Sequence, residues 1–159
     1  MGYQYSVGQV CMNGHIITGD VNSGDATKFC AQCGEATISA CPACKSSIRG
    51  DGRDSEWGSH FPMFGAPAFC PECGKSFPWT ERSVEAAKEL ADEIEEIDEA
   101  EREKAKASFI ALASDTPQTT VAATRVKKLI AKAGPIIGSG IRDIVVSIAT
   151  DAAKKTMGL

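Results

Sequence analysis

Long apolar runs are missing from this chain, and none approaches the ~20 residues that a membrane-spanning helix needs. Histidine is scarce, with two among 159 residues, and neither H-E-x-x-H nor H-x-E occurs. That removes the usual signatures of a zinc hydrolase or deaminase, in which a carboxylate base sits beside an open metal. A surplus of positive charge is also missing. The net charge of −4 argues against a general nucleic-acid binder, which would carry a basic surface. The opening "MGYQYSVGQV" lacks the basic start and apolar core of a secretory signal. A cytoplasmic protein is therefore expected, and there seven cysteines are expected as metal ligands rather than disulfides.

Absences also divide the chain. Residues 81–159 contain no Cys, Trp, Tyr or His and are rich in Ala, Glu, Lys and Ile. Residues 1–79 hold all seven cysteines and five of the seven prolines, with few large aliphatic side chains and little helical periodicity. Two domains follow, 1–79 and 80–159, with the boundary at "FPWTERS". Thr80 is expected to cap the first helix, with Glu81 favourably placed in its first turn. Trp79 is expected to pack the first domain against that helix.

The second domain reads as all-α, with three to four helices in a bundle. Val84, Ala87, Ala91, Ile94 and Ile97 recur at spacings of three and four, which gives one apolar stripe. The phase breaks near Asp98, and a second helix runs to about Ala113. Thr116 and Pro117 open a third, with Ala122, Val126, Leu129, Ile130 and Ala133 on one face. "GP" at 134–135 ends it. A fourth shows Ile141, Ile144, Val145, Ile148, Ala149 and Ala152. Such stripes need a common core or a partner's. Residues 85–103 carry ten acids against Lys88 and Arg102, and residues 104–159 carry nine bases against three acids. These charges are expected to attract one another within the bundle, and a docking surface is the sharper alternative.

What the first domain has is paired donors: Cys11/His15, Cys30/Cys33, Cys41/Cys44 and Cys70/Cys73. A structural zinc takes four such ligands in a tetrahedron, so eight donors fill two sites with none left over. His15 completes the count, while His60, with no cysteine near it in sequence, is the weaker candidate for eighth ligand. Gly follows the second cysteine in "FCAQCGE" and "FCPECGK", where it permits the turn that aims amides at the thiolates. Asn13-Gly14 can do the same inside the longer Cys11–His15 loop. A sequential scheme joins Cys11, His15, Cys30 and Cys33, then Cys41, Cys44, Cys70 and Cys73, as two zinc ribbons in tandem. An interleaved cross-brace is the alternative, but seven residues separate Cys33 from Cys41, where cross-brace domains keep two or three. Redox pairs and an iron–sulfur cluster suit this donor set less well. The fold class is thus a small zinc-stabilised β domain followed by an all-α region. With so thin an aliphatic core, each zinc is expected to contribute on the order of 10 kcal/mol to folding.

The segments "QVCMNGHIIT", "KFCAQCGEATISACPACKSSIRGD", "FCPECGKSFPWTE", "TPQTTVAATRVKK" and "IRDIVVSIA" together resemble an uncharacterised bacterial family, a domain of unknown function with zinc-ribbon-like cysteines. All eight donors match the family pattern, while Met12 and Ser76-Phe77 look like local variants. The resemblance implies a bacterial protein with two ribbon-like elements followed by helices, and it implies no activity.

All eight donors are used and no nucleophile–base pair assembles, so two structural zinc ions and no enzyme are expected. The function expected first is a protein-interaction or adaptor module, acting on a protein partner or by self-association through the C-terminal helices. Trp57, Phe61, Met63, Phe64 and Phe69, between Cys44 and Cys70, are residue types that anchor interfaces, or they fold back as a mini-core. Nucleic-acid binding ranks second, with Lys45, Arg49 and Arg53 or Arg125, Lys127, Lys128 and Lys132 as its candidate patches.

Overall fold

The computed structural model describes residues 3–54, 56, 58, 60–61 and 64–159. Trp57 and Met63 lie outside the described residues, as do the side chains of His60 and Phe61. The chain divides into two compact units, Met1–Trp79 and Thr80–Leu159.

Among the described residues the first unit contains two small antiparallel sheets. One has the order β3–β2–β4, from β2 (Gln9–Cys11), β3 (Ile16–Thr18) and β4 (Thr37–Ile38). Its register pairs Val10 with Ile16 on one side and with Ile38 on the other. The other has the order β1–β5–β6, from β1 (Tyr3–Val7), β5 (Arg49–Asp54) and β6 (His60–Phe61). Glycine brings the two sheets together. A β-carbon on Gly50 would fall on the carbonyl of Gly19 and within 2.7 Å of the Gly8 nitrogen. With none there, Asp51 N–H donates to Gly19 O at 2.9 Å, and the Ser6 hydroxyl lies 2.9 Å from Asp51 O and 3.1 Å from Gly19 O.

The core of this unit is thin: Val10, Ile48, Phe77, Trp79, Cys41 and Cys70, with Ile38, Phe64 and Ala66 at its edge. Phe77 and Trp79 stack with centroids 4.5 Å apart, and Trp79 Nε1–H donates to Pro67 O at 2.8 Å. Trp79 thus fills its own unit's core. Phe64 folds back over Gly8, where a β-carbon would strike its ring.

The second unit holds five helices: α1 (Pro78–Asp92, opening two residues before the division), α2 (Glu99–Leu112), α3 (Thr119–Lys132), α4 (Gly134–Ile148) and α5 (Asp151–Met157). α1 begins at Pro78, not after Thr80, because the fixed φ of proline suits the first helical position. Asp98 breaks the phase as a cap, its carboxylate accepting from Glu101 N–H at 2.8 Å. Thr116 turns the chain into α3, its hydroxyl accepting from Gln118 N–H, although regular helix starts only at Thr119. Gly134, at φ +75°, ends α3, and Pro135 starts α4 at once.

The fourth stripe belongs to two helices. Ala149 is extended and Thr150 caps α5, so the phase resets; Ala153 is buried and Ala152 is exposed. The stripes of α1 to α5 close on one core, with Phe109, Leu112, Val126, Leu129, Ile141 and Val145 at 0–1% exposure. Part of the acid and base surplus pairs internally, through Lys106–Asp92 at 2.9 Å and Lys132–Glu101 at 2.8 Å. No helix among the described residues is long and apolar enough to cross a membrane.

Candidate metal centres

Three of the four donor pairs sit on the same short turn. In each, the amide of the first cysteine donates to the carbonyl five residues on: Cys30 to Glu35, Cys41 to Ser46 and Cys70 to Lys75, all at 2.8 Å. In each, the residue after the second cysteine donates back to the first cysteine's carbonyl, Gly34, Lys45 and Gly74 again at 2.8 Å. One antiparallel bridge closes each turn, Phe29 with Ala36, Ala40 with Ser47 and Phe69 with Ser76. The turn requires a left-handed residue after the second cysteine. Gly34 and Gly74 supply it at φ +74°, and Lys45 adopts it at φ +66°. Lys45 is the only non-glycine residue with positive φ among those described.

The fourth pair uses a longer turn, between β2 and β3. Cys11 N–H donates to His15 O at 2.9 Å, Gly14 at φ +90° donates to Cys11 O, and His15 N–H reaches Cys11 Sγ at 3.3 Å. A β-carbon on Gly14 would lie 3.0 Å from Trp79 Cβ, so this turn also leans on the core.

The turns bring the donors together in two groups, Cys11, His15, Cys30 and Cys33, and Cys41, Cys44, Cys70 and Cys73. Within each group all four donor atoms lie within 4.8 Å of one another. The pairing is sequential. In the first group Cys11 Sγ is 3.7 Å from Cys33 Sγ, and His15 Nδ1 is 3.4 Å from Cys11 Sγ and 3.6 Å from Cys30 Sγ. In the second, Cys41 to Cys73 is 3.8 Å and Cys44 to Cys70 is 3.7 Å. A disulfide would hold its sulfurs at about 2.05 Å, and all seven cysteines are free. Four donors turned inward at such spacing fit one metal ion per group. His15 faces its group through Nδ1, which leaves Nε2 pointing away from the sulfurs.

The electrostatics prepare thiolates. The Glu35 amide, with smaller help from the Asn13 side chain, pulls the Cys33 thiol down to about 6. The Ser46 hydroxyl and amide do the same for Cys44, also to about 6. The Cys44 amide lowers Cys41. Two thiols move the other way. Burial raises Cys11. At Cys73 the Lys75 amide pulls downward, but burial and the sulfurs of Cys44, Cys41 and Cys70 outweigh it and push the thiol up to about 11. Four thiols so close cannot all ionise without a cation among them. The parts that the spacing of the sequence does not announce are Lys45 in its left-handed turn, the Ser46 hydroxyl and the reach of Asn13 to Cys33. For Ser46, a hydroxyl two places after a second cysteine is the available signal.

No curated protein and no solved structure matches this chain. A family model described as an uncharacterised protein conserved in bacteria (DUF2321) matches residues 4–157, nearly the whole length, and the chain belongs to that family.

Proposed function

We propose that this is a zinc-binding protein-interaction module of the bacterial cytoplasm, in which two zinc ions are structural and no reaction is catalysed. The observation that carries the reading is the pair of closed four-donor groups. A tetrahedron with Zn–S near 2.3 Å and Zn–N near 2.05 Å has S–S edges of about 3.8 Å and S–N edges of about 3.6 Å. Five of the donor spacings, at 3.4–3.8 Å, match those edges, and the remaining ones are all within 4.8 Å. Each group supplies four donors of its own, which leaves no position for a water or substrate.

The surface favours a protein partner over nucleic acid. Phe29, beside Cys30, is 63% exposed, and Ile16, beside His15, is 46% exposed. Rigid turns thus hold apolar side chains in solvent, as an interaction surface requires. Three of the five cations of this unit are engaged nearby: Arg49 with Glu72 at 3.6 Å and over the Tyr5 ring, Arg53 with Asp20 at 4.0 Å, and Lys45 Nζ with Pro42 O at 2.9 Å.

Native mass spectrometry of protein purified without chelator tests the metal count, and elemental analysis tests the metal. Two zinc ions per chain are expected. Stripping them with a strong chelator should collapse the first unit, read by loss of the near-ultraviolet circular dichroism of the Phe77–Trp79 stack. One ion or none, or an unchanged spectrum after stripping, would overturn the reading.

A further inference from the structure

The second unit does not satisfy all of its own charge. Glu85, Asp92, Glu99, Glu101 and Glu103 pair with Lys88, Lys106, Lys132 and Arg102. Glu93, Glu95 and Glu96 are exposed and have no ion pair among the described residues, and they crowd the short turn between α1 and α2. Ile94 and Ile97 of the same turn are buried at 2% and 8% exposure, so the turn is pinned down with its carboxylates outward. It is an exposed acidic knob.

A concave basic counterpart lies on the other helices. A cleft of about 460 Å³ runs along the α3–α4 junction past Gly134, Gly138 and Arg142. A smaller one of about 160 Å³ continues it past Lys127 to Met157. Both share Ile130, Ala131 and Arg142 in their walls, so they adjoin along the α3–α4 face. Lys127 and Arg142 are exposed and have no ion pair among the described residues, and the same holds for Arg125 and Lys128 on α3. Asp143 is the nearest acid in sequence to Arg142, and residues 104–159 still carry nine bases against three acids. Glycine at 138 lets α4 pack closely on α3. A β-carbon at Gly138 would come within 2.9 Å of Ile130 O.

We propose that this chain associates with itself head to tail, the acidic α1–α2 turn of one copy seating in the basic α3–α4 groove of the next. The inference rests on the reading of the chain as an interaction module and names its partner as a second copy. Knob and groove are different surfaces, so the contact is heterologous and builds rings or open chains rather than an isologous pair. Its attraction is mostly between exposed charges, so it is screened by salt.

Sedimentation of the full zinc-loaded chain tests this, at 100 µM in 20 mM and in 500 mM NaCl. Higher-mass species are expected at low salt, with an apparent association constant at least about tenfold lower at high salt. Reversing the knob (Glu93→Lys, Glu95→Lys, Glu96→Lys) or the groove (Lys127→Glu, Arg142→Glu) should each give a monomer at low salt. Mixing the two reversed proteins should restore association, because each then offers a knob of the sign that the other's groove needs. Restoration also shows that neither variant has merely misfolded. A wild-type monomer at low salt, association unmoved by either reversal, or no restoration on mixing would overturn the proposal. A monomer whose groove instead binds an anionic oligonucleotide would overturn it in favour of nucleic acid. A monomer that keeps two zinc ions and exposed Phe29 would overturn only this proposal and leave the interaction reading with a different partner.

Discussion

The three matching turns make an internal experiment. Gly34, Lys45 and Gly74 occupy the same position with nearly the same φ, but only lysine has a β-carbon that the left-handed conformation disfavours. The left-handed region costs an L-residue roughly 1–2 kcal/mol relative to glycine. Lys45→Gly removes that cost, and it also removes the exposed hydrogen bond from Lys45 Nζ to Pro42 O. The bond contributes about 0.5 kcal/mol, and glycine frees the unfolded chain by a similar amount. The net expectation is a gain of about 0–1 kcal/mol, which is up to about fivefold tighter metal binding at the second centre. Lys45→Ala separates the two effects. It keeps the strain and loses the bond, so it should bind no tighter than the wild type. The converse substitutions, Gly34→Ala and Gly74→Ala, add a β-carbon that meets nothing within 4 Å. They impose the backbone cost alone, about 1 kcal/mol or about fivefold weaker binding at the first and second centre respectively. Competition against a chromophoric chelator measures each change. If Lys45→Gly binds more weakly than Lys45→Ala, or if Gly34→Ala and Gly74→Ala are neutral, the conformational argument is wrong.

Two further expectations concern protons and the helical unit. The Cys73 thiol, pushed up from 9.0 to about 11, keeps its proton through neutral pH until an ion displaces it. Zinc loading at pH 7.5 in weak buffer should therefore release at least the Cys73 proton. Affinity should rise with pH by about tenfold per unit for each proton displaced and fall more steeply below about pH 6, where Cys33 and Cys44 also take up protons. Loading without proton release would contradict this. Arg102, which donates to Ala91 O at 3.3 Å and Ile94 O at 2.6 Å and pairs with Glu99 at 2.7 Å, satisfies the carbonyls at the end of α1. Arg102→Ala should cost about 2 kcal/mol in urea unfolding followed at 222 nm. Arg102→Lys should recover little, since an ammonium cannot span both carbonyls. An alanine variant as stable as the wild type would refute this account of how α1 ends.

The donor pairs were legible in the sequence because their geometry is local: C-x-x-C sets a turn, and the turn aims both sulfurs the same way, whatever surrounds them. The stripe of α3 was legible because one apolar face of the helix meets one core, and that of α1 as far as Ala91; Ile94 and Ile97, expected on the same helix, are buried from the turn that follows it. Where the reading stopped, long-range geometry had taken over. "RGDGRD" has the composition of a loop, yet it forms β5, the centre of its sheet, because Gly50 lets Gly8 and Gly19 approach where a side chain would block them. No periodicity announces such a strand. Ala152 falls on the fourth stripe by spacing, but the extended Ala149 resets the phase, and spacing cannot register a change of helix axis. Lys45 carries no signal at all, since its left-handed turn is imposed by the two cysteines before it and the bridge after it.

Why the donors pair in sequence rather than crosswise can be argued from the chain itself. Sequential pairing closes loops of 14 residues, between His15 and Cys30, and 25 residues, between Cys44 and Cys70. Crosswise pairing would close 25 residues, between His15 and Cys41, and 36 residues, between Cys33 and Cys70. At (3/2)RT ln n per loop the sequential scheme is favoured by only about 0.8 kcal/mol. That is less than a factor of five, too little to fix one pairing on its own. The rest comes from the sheet. β2 carries Cys11 and pairs on one side with β3, which follows His15, and on the other with β4, which follows Cys33. The hydrogen bonds that place Val10 opposite both Ile16 and Ile38 also bring the two donor pairs of the first centre to the same end of the sheet. With those four donors committed, Cys41, Cys44, Cys70 and Cys73 have only one another, and Cys41 and Cys70 enter the core beside Ile48 and Phe77. The first centre thus selects the second, and the small apolar core of this unit is completed by the cysteines that the selection leaves over.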